Sequence, residues 1–207
     1  GDDPALAAAL LQLPTEPELA QDYTPVPVDA IHAARSGLRR RLAESLAEPL
    51  REILDDSRPR GGWRFNADDI AARSLANTAM SLLVGARDEE AAKRAVDVYK
   101  DADNMTDRFA ALGSVVQARL DAAEVLLADF EKRYADNPLV MDKWFAVQAQ
   151  VAADSTVDKV EQLGVLDEVR VQLRDLGAEV VGAAADARIV VEVIDAQTRR
   201  RTVTTGA

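Results

Sequence analysis

Residues 104–112 read NMTDRFAAL, and residues 139–148 read LVMDKWFAVQ. Both set charged side chains beside large apolar ones in a chain whose aromatic content is only 4%, so each marks either a site or a packing joint. In the first, Thr106 is placed to cap a helix and Asp107 to sit at that helix's positively polarised end. Phe109 and Leu112 then point inward, while Asn104 and Asp103 close the preceding helix. In the second, Pro138 suits a first helical turn, and Leu139, Trp144 and Phe145 are placed to pack against neighbouring helices. Asp142 and Lys143 stand near the rim of that patch. The sharper reading, in which these two line a substrate chamber, is weighed against packing, and packing is the expectation for both stretches.

Outward from these joints the chain reads as one helix after another. DPALAAALLQLP at residues 3–14 is a short apolar helix stopped by Pro14, and Pro17, Pro25 and Pro27 predict an extended or turned stretch after it. Asp29 can cap a long helix in which Ile31, Ala34, Leu38, Leu42, Leu46, Leu50 and Ile53 form the apolar stripe. Arg39, Arg40, Glu44 and Glu48 fall outside that stripe, and Pro49 predicts a kink. SRPRGGWRFN at residues 57–66 is a connector, ending in Asn66 as the cap of a helix with Asp68 and Asp69 in its first turn. Further helices are predicted at about 67–84, 88–101, 106–119, 121–134 and 138–151, with helical signal continuing through Val157, Val160 and Leu163.

Short connections force consecutive helices to run antiparallel. The predicted class is therefore all-α, with antiparallel helical hairpins stacked as a bundle or an α-solenoid. Residues 1–163 form the helical domain. Residues 164–207 are a divergent tail in which RIVVEVIDAQTRRRTVTTGA, from residue 188, predicts a short β-hairpin.

Composition excludes several classes of function. A formal net charge of −11 opposes nucleic acid or an anionic membrane as partner, because phosphate recognition needs a basic face. The chain has no cysteine, which removes disulfides, thiolate zinc sites and a cysteine nucleophile. A single histidine, His32, cannot build an H-E-x-x-H zinc motif or a serine-histidine-aspartate triad, and it is expected to sit on a helix surface without a ligand role. No glycine-rich phosphate loop occurs. Asp101, Asp103 and Asp107 have the spacing of a calcium loop, but Met105 and Thr106 stand where that loop needs Asp or Asn and then Gly. NMT is also a formal glycosylation triplet, relevant only to a secreted chain. No apolar run reaches the length of a membrane span and no leader pattern is visible, so a soluble, cytoplasmic chain is expected. It opens at Gly1 in what reads as the middle of a helix-rich protein, and a fragment is expected.

Taken together, NMTDRFAAL and NPLVMDKWFAVQA resemble the C-terminal helical region of bacterial aminopeptidase N, the zinc-dependent alanyl aminopeptidases. DPALAAALLQLP, FNADDIAARSLAN at residues 65–77 and STVDKVEQL at residues 155–163 resemble successive segments of the same region in the same order. The chain departs from the family at Ala76, where an arginine is frequent, and after residue 163, where GVLDEVRVQLRDLGAEVV replaces the family's continuation. The resemblance implies a non-catalytic domain that covers the active-site chamber and shapes access to it. Its partners would be the catalytic domains of the parent enzyme and, indirectly, peptide substrates. Zinc and the catalytic residues would belong to that parent, and no catalytic, cofactor-binding or metal residue is expected in this chain. The alternative is a free-standing helical-repeat module that binds a partner on its concave face.

Overall fold

Most of the described helices begin where a short polar side chain accepts an otherwise unpaired amide. The computed structural model describes residues 3–59, 62–151, 153 and 155–162, and among the described residues there is helix and no strand. The all-α class is thus present, while the expected hairpin at 188–204 and the boundary after residue 163 lie outside the described residues.

Asp3 accepts from the Leu6 amide and starts α1 (Pro4–Leu10). Thr15 and Glu18 cap each other's backbone and start α2 (Glu16–Ala20). Pro17 therefore sits in the first turn of a helix, where an extended or turned stretch was expected, because a first-turn residue has no intrahelical use for its amide. The long helix is divided. α3 (Val28–Ser45) and α4 (Ala47–Asp56) meet at Leu46, whose backbone at φ −112° and ψ 19° leaves the helical region. Pro49 falls in the first turn of α4, so its missing amide is accommodated by a break instead of the expected kink. Asp29 lies inside the first turn of α3 and makes no cap; Pro27 occupies that position.

The apolar stripe of α3 is also rotated from the expected one. Ile31 and Ala43 are buried, whereas Ala34 and Leu38 are exposed and Arg35 and Arg39 are half-buried. The reason is the neighbour. α5 (Ala67–Gly85), capped by Asn66 as expected, packs against α1, α3 and α4 and offers polar groups as well as apolar ones to the surfaces that meet it. Its middle is nearly sealed, with Ala76, Ala79, Met80 and Val84 showing no exposure. These four fall at i, i+3, i+4 and i+8, one helix face.

α6 (Glu89–Asp101) is capped by Asp88 and α7 (Met105–Gln117) by Asn104; the two form a hairpin that also packs on α5. Ala91, Ala95, Val98 and Tyr99 are the buried stripe of α6. The turns that end α5 and α7 are built alike. Asp88 donates to the Leu83 carbonyl and Arg87 to that of Val84, and Leu120 donates to Val115 and Arg119 to Val116. In both, an arginine takes the left-handed conformation, φ 69° at Arg87 and 51° at Arg119, where glycine is the usual occupant.

These seven helices form one unit, Gly1–Ala123, and the second begins at Glu124. The second unit holds α8 (Ala123–Tyr134) from its second residue onward, α9 (Pro138–Ala149) and α10 (Thr156–Gln162). Trp144 is 7% exposed, and its indole N–H donates to the Leu127 carbonyl at 2.9 Å. Its ring meets the half-buried Phe145 edge-on with centroids 5.0 Å apart. Packing holds for these two but not for Leu139, which is 62% exposed. Leu139 lies five residues before Trp144, about 140° round the helix, and so on another face.

Candidate functional site

Residues 104–112 join three helices. The Asn104 side chain accepts from the Asp107 amide, so the cap of α7 is Asn104 and not Thr106, which lies exposed in the first turn. Arg108 reaches back and donates to the Tyr99 and Ala102 carbonyls, closing the C-terminal end of α6, the end at which a cation is favoured. Asp107 faces α5. Its carboxylate accepts from Arg73 Nε at 3.1 Å, Asn77 Nδ2 at 3.0 Å and Asn104 Nδ2 at 3.0 Å. Arg58 Nη1 lies 3.0 Å from the same carboxylate, although its N–H and that of Nε find no acceptor of good geometry. Burial drives the Arg58 guanidinium below its ordinary range, with Asp107 opposing. Leu112 is buried as expected, and Phe109 is half-buried.

An open cleft of about 640 Å³ lies beside this knot, bordered by Arg73, Asn77 and Thr106 of the same neighbourhood. One wall is the α1–α2 connector with Leu11 and Leu13, a second is α3 with Arg35 and Arg39, and the floor is α5 from Ile70 to Leu82. Trp63 and Phe65 stand at its edge, 52% and 81% exposed, with ring centroids 6.3 Å apart. The connector that carries them is tied down at two points. The Trp63 amide donates to Asp103 at 2.8 Å, and Arg64 between them binds Asp69.

Arg35 donates to the Pro14 carbonyl at 2.7 Å, and Arg39 to the Ser81 carbonyl at 3.1 Å and its hydroxyl at 2.8 Å. All three acceptors are uncharged. Burial lowers the Arg39 pKa and repulsion from Arg35 lowers it further. Reading the sequence by its apolar stripe missed this pair, because it placed Arg39 on the solvent side. A signal was present nonetheless: Arg35 and Arg39 stand at i, i+4 with no carboxylate three or four positions from either, so neither has a partner along the helix.

The other residues singled out by sequence have structural partners. His32 Nδ1 lies 2.8 Å from Glu16 Oε1 and ties α3 to α2. Asp103 and Asp107 serve the connector and the knot already described, and with Asp101 exposed at the end of α6 the three aspartates make no shared cation site. Asp142 is half-buried and Lys143 exposed. Among the described residues no three His, Asp or Glu side chains gather as a metal would require, so the groups present do not fit the zinc that the resemblance assigns to its parent enzyme. No helix among the described residues is long and apolar enough to cross a membrane.

Helical hairpins packed around a sealed central helix define an all-α helical domain. Residues 1–168 match the family described as "Domain of unknown function (DUF3458_C) ARM repeats", and the chain belongs to that family. It is 35% identical to aminopeptidase N of Escherichia coli K12 over 161 residues, which are 78% of this chain and 18% of that protein. Aminopeptidase N of Haemophilus influenzae is 35% identical over the same length, and that of Caulobacter vibrioides 34%. The chain thus spans under a fifth of these relatives. Among solved structures, Legionella pneumophila aminopeptidase A in complex with aspartic acid matches with a TM-score of 0.68, over 78% of this chain and 20% of that one. At 21% identity that likeness is one of fold.

Proposed function

We propose that this chain is a non-catalytic helical domain of a zinc-dependent aminopeptidase, and that it shapes the access of peptides to an active-site chamber formed with the catalytic domains. The observation that carries this reading is the 35% identity to aminopeptidase N across 78% of the chain. Residues 1–163 would be the helical domain and residues 164–207 a divergent tail, in a cytoplasmic enzyme. Zinc in the parent would polarise the scissile carbonyl and a glutamate would activate water; the helical domain would contribute shape and no reacting group.

Coding DNA upstream of residue 1, read in frame, tests this directly. An H-E-x-x-H motif with a downstream glutamate supports the proposal, and its absence replaces it with the free-standing interaction module. The 207-residue chain alone should neither hold stoichiometric zinc nor turn over alanyl-nitroanilide. The parent enzyme should lose its discrimination between that small substrate and long peptides when this domain is deleted. Zinc with turnover in the isolated chain would defeat the proposal.

A further inference from the structure

We propose that the cleft between α3, α5 and the α4–α5 connector is a binding site for an acidic, apolar peptide segment, with a carboxylate seated between Arg35 and Arg39 and apolar side chains on Trp63, Phe65 and Ile70. This does not depend on the aminopeptidase reading.

Charge complementarity is the first argument. In a chain with 36 Asp and Glu against 25 Lys and Arg, four arginines and no carboxylate line this cleft among the described residues, a local reversal of the molecule's sign. Arg64 and Arg73 are paired to Asp69 and Asp107. Among the described residues Arg35 and Arg39 meet only uncharged oxygens, and repulsion between them opposes the charge of Arg39. A carboxylate placed there would relieve that repulsion and form charge-assisted hydrogen bonds with two guanidinium forks.

Shape and surface supply the second argument. The connector that carries the exposed Trp63 and Phe65 is tied down by Asp103 at the Trp63 amide and by the Arg64–Asp69 pair between the two rings, and Ile70 is 46% exposed in the same cleft. Rigid aromatic groups next to an arginine are the usual anchors of peptide recognition. The hydroxyls of the α5 face, Ser74 and Thr78 among them, suit a peptide backbone. A polyanion would meet the repulsion of a chain at −11 once it extended beyond the cleft.

Calorimetric titration of the 207-residue chain with acetyl-Leu-Asp-Leu-Glu-Leu-amide, and with the same peptide carrying Asn and Gln, provides the test. The acidic peptide should bind about ten-fold or more tightly than its amide counterpart, and its affinity should fall as salt is raised. Arg39→Gln and Arg35→Gln should each weaken it about ten-fold, while Arg40→Gln, on the exposed face of α3, should leave it within about two-fold. Unchanged circular dichroism and melting of the variants would separate lost binding from lost fold. In a Trp144→Phe chain, Trp63 is the only tryptophan left, and its emission should shift to the blue on saturation. Equal affinity for the two peptides, no binding of the acidic one at millimolar concentration, indifference to both arginine variants, or tighter binding of adenosine monophosphate would each overturn the proposal.

Discussion

Arg73 Nε lies 3.1 Å from Asp107 Oδ2, and both side chains are almost out of contact with water, at 6% and 12% exposure. The pair crosses from α5 to α7 and is completed by Asn77, Asn104 and Arg58, whose Nη1 lies 3.0 Å from the same carboxylate. One carboxylate therefore serves two guanidiniums. Removing an anion from such a place leaves buried charge without compensation, which costs far more than a surface pair contributes.

Asp107→Ala should accordingly lower the stability of the unit containing α1 to α7 by about 3–5 kcal/mol, since Arg73 is stranded. Adding Arg73→Met to that variant should restore part of the loss. Urea melts would decide, and a loss below about 1 kcal/mol would show that the knot is hydrated and weak.

The start of α7 offers a sharper comparison. Asn104→Ala removes the side chain that accepts the Asp107 amide at 2.9 Å and should cost about 1 kcal/mol. Thr106→Ala touches an exposed first-turn residue and should change stability by no more than about 0.5 kcal/mol. The opposite order in thermal melts would return the cap to Thr106.

Acid should loosen the link between α4 and α6. Burial pushes the Asp88 carboxyl up, but the Ala91 amide, the Arg51 guanidinium and the Glu90 amide together hold it below its ordinary value. A carboxyl depressed in the folded state adds stability above the unfolded value of about 3.9, and that contribution disappears as pH falls through the lower folded value. Asp88→Asn retains a capping oxygen but loses the charge that meets Arg51 at 2.7 Å. Its stability should therefore fall less steeply than that of the parent between about pH 5 and pH 2. Parallel curves in guanidinium titrations across that range would sink the assignment.

Trp144→Ala should destabilise the second unit by about 3–5 kcal/mol, because the ring is buried and its N–H holds the Leu127 carbonyl. Leu139→Ala, on the exposed side of the same helix, should cost less than about 1 kcal/mol. Similar losses for the two in urea would mean that α9 buries a different face.

Most of the helices and their order were legible in the sequence by itself, although α2 was not and α3 and α4 read as one helix. Asn66 before α5 and Pro138 at the head of α9 act through the nearest few amides of their own chain, and the apolar periodicity of α6 to α9 registers with the same local geometry. The two joint stretches were also visible as joints. Tertiary structure decided which face of α3 turns inward, since Arg35 and Arg39 gain partners more than forty residues away or across a connector, at Ser81 and Pro14, and periodicity counts only apolar groups. It decided that Asp107 faces α5, where Arg73 and Asn77 meet its carboxylate. It also decided that the connector carrying the exposed Trp63 and Phe65 is tied to Asp103, forty residues away, at the Trp63 amide. Short-range hydrogen bonding is written along the chain. Pairing across helices depends on which faces meet once the sealed core of α5 is in place.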